Sequence, residues 1–172
     1  ETRNDSMAKE IEKAIAYVLF QMAEQSVKQG QYQKGAESYL ALVKRYPLID
    51  IADKAVFEAG AAYEKDQQFT KAAETFMILP KQYAKSPLTI KGIVRAGDAH
   101  KKAANLKKSD KAYYEQEYRE AAQTYLFITN NFPQDSMAFM AIGSAAQVYD
   151  TIADKKSAAV TYELAYKRYP KD

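Results

Sequence analysis

The chain has 172 residues, 47% of them hydrophobic, with a formal net charge of +3 and no cysteine. That hydrophobic share supports a continuous core, the absence of cysteine excludes disulfides, thiolate catalysis and cysteine-built zinc or iron–sulfur sites, and a charge this small and alternating in sign does not mark a nucleic-acid-binding surface. The longest apolar run, Ala14 to Phe20, has seven residues, far below the roughly 20 needed to cross a bilayer.

In chain order, residues 1–6 read as a polar tail, and helices are predicted over 7–29 and 31–45, 49–65 and 68–79, 87–107 and 111–131, and 135–151 and 154–169. Two sets of columns fix their phase. The upstream set reads Leu19-Met22-Ala23-Ser26, Val56-Ala59-Gly60-Tyr63, Ile93-Ala96-Gly97-His100 and Ile142-Ala145-Ala146-Tyr149. Offsets of i, i+3, i+4 and i+7 lie on one helix face, and the small residue lets a partner helix come close. The downstream set reads Gly35-Tyr39-Pro47, Ala72-Phe76-Ala84, Ala121-Tyr125-Pro133 and Ala158-Tyr162-Pro170, with steps of 37, 49 and 37 residues. Each copy is a first helix, a short turn and a second helix, and the copies span about 7–47, 48–84, 85–133 and 134–170.

Local chemistry sets the expected boundaries. Asp50, Ser86 and Asp135 are the expected N-caps, with Pro87 at a first helical position, because a short polar side chain can accept from the unpaired N–H groups of a first turn. Pro47, Pro133 and Pro170 are expected to stop their second helices and Pro80 to stop or kink the one in the second copy, since the ring clashes with the preceding turn. The 49-residue step places a 12-residue insertion in the third pair, about Lys101 to Glu117, with Ser109-Asp110 as its turn and cap. Split evenly, it extends each helix by about six residues, or about 9 Å at 1.5 Å per residue.

Together these columns resemble the tetratricopeptide repeat, whose pattern is W-x2-L-G-x2-Y, then A-x3-F, then P. Leu19, Val56, Ile93 and Ile142 stand where that pattern has Trp, and Ala84 stands in the Pro column. The resemblance covers about Ala8 to Pro170 and implies an all-α fold: a right-handed superhelical solenoid of four helix pairs, the third lengthened, in one domain over 7–172. The junctions Arg45-Tyr46-Pro47-Leu48-Ile49-Asp50 and Asn131-Phe132-Pro133-Gln134-Asp135-Ser136 resemble those of bacterial cell-envelope tetratricopeptide repeat proteins, such as the lipoprotein of the outer-membrane β-barrel assembly machine and the Tol-Pal-associated periplasmic protein. That resemblance implies a periplasmic or outer-membrane-associated location, with the cytoplasm as the alternative, and the sequence reads as a fragment of a longer repeat protein.

The family implies a non-enzymatic scaffold whose first helices line a concave, partner-binding groove. The groove positions are Tyr17, Phe20, Glu24 and Lys28; Lys54, Phe57, Ala61 and Lys65; Lys91, Val94, Asp98 and Lys102; and Met140, Gly143 and Gln147. Aromatic and aliphatic anchors among lysines suit an extended or helical peptide with apolar and acidic residues. The competing reading has Phe57 and Val94 filling the core and the lysines solvated. Lys54, Lys91 and Arg95 imitate part of the family's carboxylate clamp for chaperone tails, but Glu24, Ala61, Asp98 and Gln147 fill its Asn positions, so that clamp is incomplete.

His100, the single histidine, shares its column with Tyr63 and Tyr149 and reads as a filler of the interhelical seam. No catalytic constellation, metal-ligand spacing or cofactor motif appears, so no enzyme activity, cofactor or small-molecule substrate is expected. Lys101, Lys102, Lys107, Lys108 and Lys111 with Tyr113 and Tyr114 offer nucleic acid or an anionic surface a place to bind, ranked below a solvated hairpin tip. The other partner reading is self-association through the final helix, where Ala158, Tyr162, Ala165 and Tyr166 form an apolar stripe with no successor to cover it.

Overall fold

The computed structural model describes residues 3–170, and every regular element among them is an α-helix. The order is α1 (Arg3–Lys28), α2 (Tyr32–Arg45), α3 (Ala52–Lys65), α4 (Phe69–Phe76), α5 (Ile78–Gln82), α6 (Thr89–Leu106), α7 (Lys111–Asn131), α8 (Met137–Thr151) and α9 (Lys155–Arg168). The chain divides after Leu88 into two compact units. In the first, α2 packs on α1 and α3, and α3 on α4 and α5; in the second, α7 packs on α6 and α8, and α8 on α9. This is the all-helical, solenoid-type arrangement of helix pairs that the columns predict.

The small and aromatic columns meet inside the pairs. A Cβ added to Gly60 of α3 would lie 2.6 Å from the Phe76 ring of α4, and one added to Gly97 of α6 would lie 2.5 Å from the Tyr125 ring of α7. Phe76 is fully buried and also meets the Phe57 ring at 5.5 Å. Val56, Ile93 and Ile142 fill the groove beside the small residue and are fully buried, whereas Leu19, at the start of the first unit, is half-buried. The Tyr125 hydroxyl donates to Asp98 Oδ1 at 2.7 Å, and burial, followed by that bond, raises its pKa above the ordinary tyrosine value. In pair two the corresponding residues are Phe76 and Ala61, so hydroxyl and acceptor are absent together.

The turn inside a pair is a shared device. Gly30, Gln67 and Ala153 hold the same position in three copies, with φ of +77°, +58° and +57°. Gly30 adopts that left-handed conformation freely; Gln67 and Ala153 do so at about 1 kcal/mol each. Nothing in the column pattern announces this, because two of the three residues are not glycine.

Several boundaries differ from expectation. α1 begins at Arg3, so residues 3–6 of the expected tail are helical, while residues 1–2 of that tail and the terminal 171–172 lie outside the described residues. α3 begins at Ala52 without a side-chain cap. Asp50 instead receives Lys13 Nζ at 2.6 Å and the Tyr17 hydroxyl at 3.3 Å, which hold its carboxyl below the usual aspartate range, the Lys13 hydrogen bond contributing most. α6 begins at Thr89, leaving Pro87 outside the helix. Ser86 Oγ still accepts from the Leu88 N–H at 3.1 Å while donating to Asp53 at 2.5 Å. Asp135 accepts from the Met137 N–H at 2.8 Å, one residue ahead of the assigned cap Ser136.

Other signals act where they were placed. Asp110 caps α7 by accepting from the Tyr113 N–H at 3.1 Å. Asp154, not anticipated, caps α9 through the Ser157 N–H and also receives Arg119 of α7; these two interactions, the N–H first, lower its pKa. The second helix of pair two is broken at Met77 into α4 and α5. Pro80 cannot donate to the Phe76 carbonyl and its ring opposes that carbonyl, which is where the break falls. The insertion lengthens α6 to 18 residues and α7 to 21, against 14 for α3, α2 and α9, so most of it went into α7.

α2, α7 and α9 end on an aromatic residue ahead of proline: Tyr46, Phe132 and Tyr169 donate their N–H to Leu42, Ile128 and Ala165. The junction aromatic also reaches back one copy. Tyr83 Oη donates to the Pro47 carbonyl at 3.0 Å, and Tyr169 Oη to the Pro133 carbonyl at 3.4 Å.

Candidate partner-binding surface

In the first unit the candidate residues lie where α1 passes α3. Tyr17 is exposed and Phe20 half-buried. Phe20 meets the Tyr39 ring edge-on at 4.9 Å, and Lys54 Nζ lies over its open face at 5.1 Å. Lys13 Nζ stands 5.8 Å from the Tyr17 ring while paired to Asp50. The result is an aromatic ledge edged with ammonium groups, in which the rings hold the cations by cation–π attraction. Glu24 and Lys28 pair with each other at 3.1 Å on the solvent side, and Lys65 Nζ sits 5.9 Å over Tyr32.

Phe57 does not join this ledge. It is 7% exposed and packs on Phe76, so it belongs to the core; Ala61 beside it is half-buried. Phe20 and Phe57 share a column but differ in burial, a difference the column alone does not show.

In the second unit the same columns carry Lys91, Val94, Asp98 and Lys102 on α6 and Met140, Gly143 and Gln147 on α8. Lys91 and Lys102 are exposed and Val94 half-buried. Asp98 is engaged structurally, accepting from Tyr125 and lying 3.5 Å from Lys101 Nζ. Gly143 takes the position that Phe20, Phe57 and Val94 hold elsewhere, and a Cβ built there meets nothing within 4 Å. An open notch therefore lies beside the exposed Met140 and Gln147. Gly143→Ala is expected to stabilise the protein by about 0.5–1 kcal/mol, the ordinary gain for glycine in a helix interior. Gly97→Ala is expected to destabilise it by about 1–2 kcal/mol, because the buried Tyr125 ring stands where the methyl would go. Denaturant midpoints of the two variants should move in opposite directions.

His100 lies in the α6–α7 seam as its column predicts, but it has a partner the sequence did not show. Its Nδ1 is 2.7 Å from Glu117 Oε2, with the two side chains 13% and 8% exposed. Glu117 belongs to the inserted stretch and has no counterpart in the other copies, so no column pointed to it. Two of the hairpin lysines are engaged by their own hairpin: Lys107 Nζ lies 4.6 Å over the Tyr113 ring and Lys111 Nζ 3.8 Å from Glu115. The Tyr114 and Tyr118 rings of α7 meet at 4.6 Å, tilted to one another, and the Tyr118 hydroxyl donates to Asn105 of α6 at 3.5 Å, which continues the seam. On α9, Ala158 is buried and Ala165 half-buried, whereas Tyr162 is 48% and Tyr166 79% exposed, and the Tyr162 hydroxyl donates to Asp150 at 3.0 Å.

Among the described residues no three His, Cys, Asp or Glu side chains gather to hold a metal, and no helix is long and apolar enough to cross a membrane. Comparison with known proteins yields a family match: the tetratricopeptide repeat model aligns with residues 17–48 and 54–86, which are the pair α1–α2 from Tyr17 onward and the pair built from α3, α4 and α5. The lengthened third pair and the fourth lie beyond the matched stretches. No curated protein gives a significant match. Tetratricopeptide repeats are in general protein–protein interaction modules, typically without catalytic activity.

Proposed function

We propose, from the tetratricopeptide repeats at 17–48 and 54–86, that this chain is a non-enzymatic scaffold that binds an extended or helical peptide segment of a protein partner on the faces of its first helices. The observation that carries the reading is the ledge of Tyr17 and Phe20 with Lys54 over the open Phe20 ring. Two partly open aromatic rings offer apolar contact, and the ammonium groups at their edge favour Asp or Glu in the ligand. The helices are held by their own cores, so little ordering cost attends binding. The second unit has, at the Gly143 notch, a place of its own for an apolar side chain.

Lys54 and Tyr17 are exposed, so changing them leaves helix packing in place. A peptide library carrying aromatic or aliphatic anchors with Asp or Glu should yield binders whose affinity falls at least about tenfold, or about 1.4 kcal/mol, in the Tyr17→Ala/Lys54→Glu variant with helicity unchanged. Equal affinity in the variant would remove this ledge as the binding surface. The aromatic–proline junctions support a bacterial envelope assembly as the setting, periplasmic or at the outer membrane; fractionation of native cells that finds the protein in the cytoplasm would overturn that part.

A further inference from the structure

α1 carries an apolar stripe that no helix of its unit covers. Met7, Ile11, Ile15, Val18 and Met22 are each between 39% and 62% exposed. Their spacings of four, four, three and four residues keep them on one side of the helix, opposite Ala16 and Ala23, which are buried toward α2. α1 has 26 residues where α3 has 14, and every residue from Asp5 to Ile15 is exposed. The stripe therefore runs out along a bare helical extension, and a helix of that kind gains its stability chiefly by burying an apolar face.

The internal repeat shows what this face does elsewhere. Ile15, Val18 and Met22 correspond to Ala52, Ala55 and Ala59 of α3 and to Ala138, Ala141 and Ala145 of α8. All six alanines are buried, in helices that each pack on the one before them, α3 on α2 and α8 on α7. Methyl groups there let the preceding helix approach closely. α1 has three large side chains instead, which would hold off a helix seated in that way. They suit a partner that meets them side chain against side chain, as in a coiled-coil seam.

The stripe is also symmetric along its length. Its midpoint lies between Ala14 and Ile15, with Met7 and Met22 equally far on either side and Ile11 and Val18 likewise. Two copies turned antiparallel set Met7 against Met22 and Ile11 against Val18, and the stripe itself holds no charged residue. We propose that a second copy of this chain covers the stripe, with α1 pairing antiparallel to α1 across a twofold axis. Such a contact is self-complementary and closed. Covering the exposed parts of all five side chains on both copies buries on the order of 1,000 Å², the least that a specific interface needs.

Sedimentation equilibrium from micromolar to several hundred micromolar should show a monomer–dimer equilibrium, lost in Ile11→Glu/Val18→Glu with the circular dichroism spectrum unchanged. A monomer throughout, or a dimer abolished by Tyr166→Glu on α9 but indifferent to the α1 changes, overturns the proposal. Orientation is tested separately, since the natural chain has no cysteine. Ile15→Cys lies at the twofold and should form a disulfide-linked dimer on mild oxidation. Met22→Cys should not, because antiparallel pairing sets the two copies of that position about 22 Å apart at 1.5 Å per residue, beyond the roughly 7 Å Cα limit of a disulfide. Linking through Met22→Cys and not through Ile15→Cys means parallel pairing and overturns it.

Discussion

Phe76→Ala is expected to cost about 3–5 kcal/mol, the range for removing a fully enclosed phenylalanine, and this is the largest single effect we anticipate. The ring is fully buried, packs on Phe57 at 5.5 Å and fills the space left by the missing side chain of Gly60. Its helix, α4, has eight residues and ends at Met77, too short to hold by propensity alone. The loss should therefore be local in the first instance: amide exchange in α4 and the facing turns of α3 should accelerate by at least about a hundredfold, since each tenfold corresponds to about 1.4 kcal/mol. Unchanged exchange there would mean that the ring contributes little to the pair. Phe76→Tyr adds a hydroxyl with Ala61 where the third pair has Asp98, so Ala61→Asp should recover stability in the Phe76→Tyr background.

His100→Leu is expected to lower stability by about 3 kcal/mol, because Glu117 keeps its 8% exposure while losing the ring nitrogen 2.7 Å away, and an enclosed acid without its donor carries the full cost of lost hydration. Glu117→Leu in the same chain should restore stability to within about 1 kcal/mol of the parent, since two apolar side chains can replace an enclosed polar pair. The four proteins form a double-mutant cycle read by denaturant midpoint. Additive losses would show that the two residues act independently despite their distance. The lengthened third pair thus depends at its base on a polar pair where the other copies with an aromatic in this column have Tyr63 and Tyr149.

The fold was legible because its determinants repeat. Gly60 with Phe76 and Gly97 with Tyr125 are contacts that a column of small residues and a column of aromatics announce before any coordinates, and the step of 49 located the lengthened hairpin by arithmetic. Features that occur once, or that depend on what lies across a face, were not legible in the same way. Glu117 has no sibling to align with. Phe20 and Phe57 occupy one column, yet Phe57 is closed over by Phe76 while Phe20 is left partly open under Lys54, a matter of neighbours rather than of identity. Asp50 has a good capping side chain but is drawn to Lys13 and Tyr17, since a charged pair competes with a helix N-terminus for the same oxygens. The α1 stripe shares only Met22 with the columns, which place that residue on the packing face although it is exposed, and the stripe's meaning appears only when its positions are compared with the buried alanines of α3 and α8.

The bonds from Tyr83 to the Pro47 carbonyl and from Tyr169 to the Pro133 carbonyl act as clasps that tie the end of the second and fourth pairs to the proline before each pair begins. A residue added next to a junction moves the hydroxyl off its acceptor, whereas residues added in step to both helices at the turn end of the pair leave the two ends of the bond where they were. The third pair ends on Phe132, which has no hydroxyl for such a bond, and it is the pair whose hairpin has been lengthened.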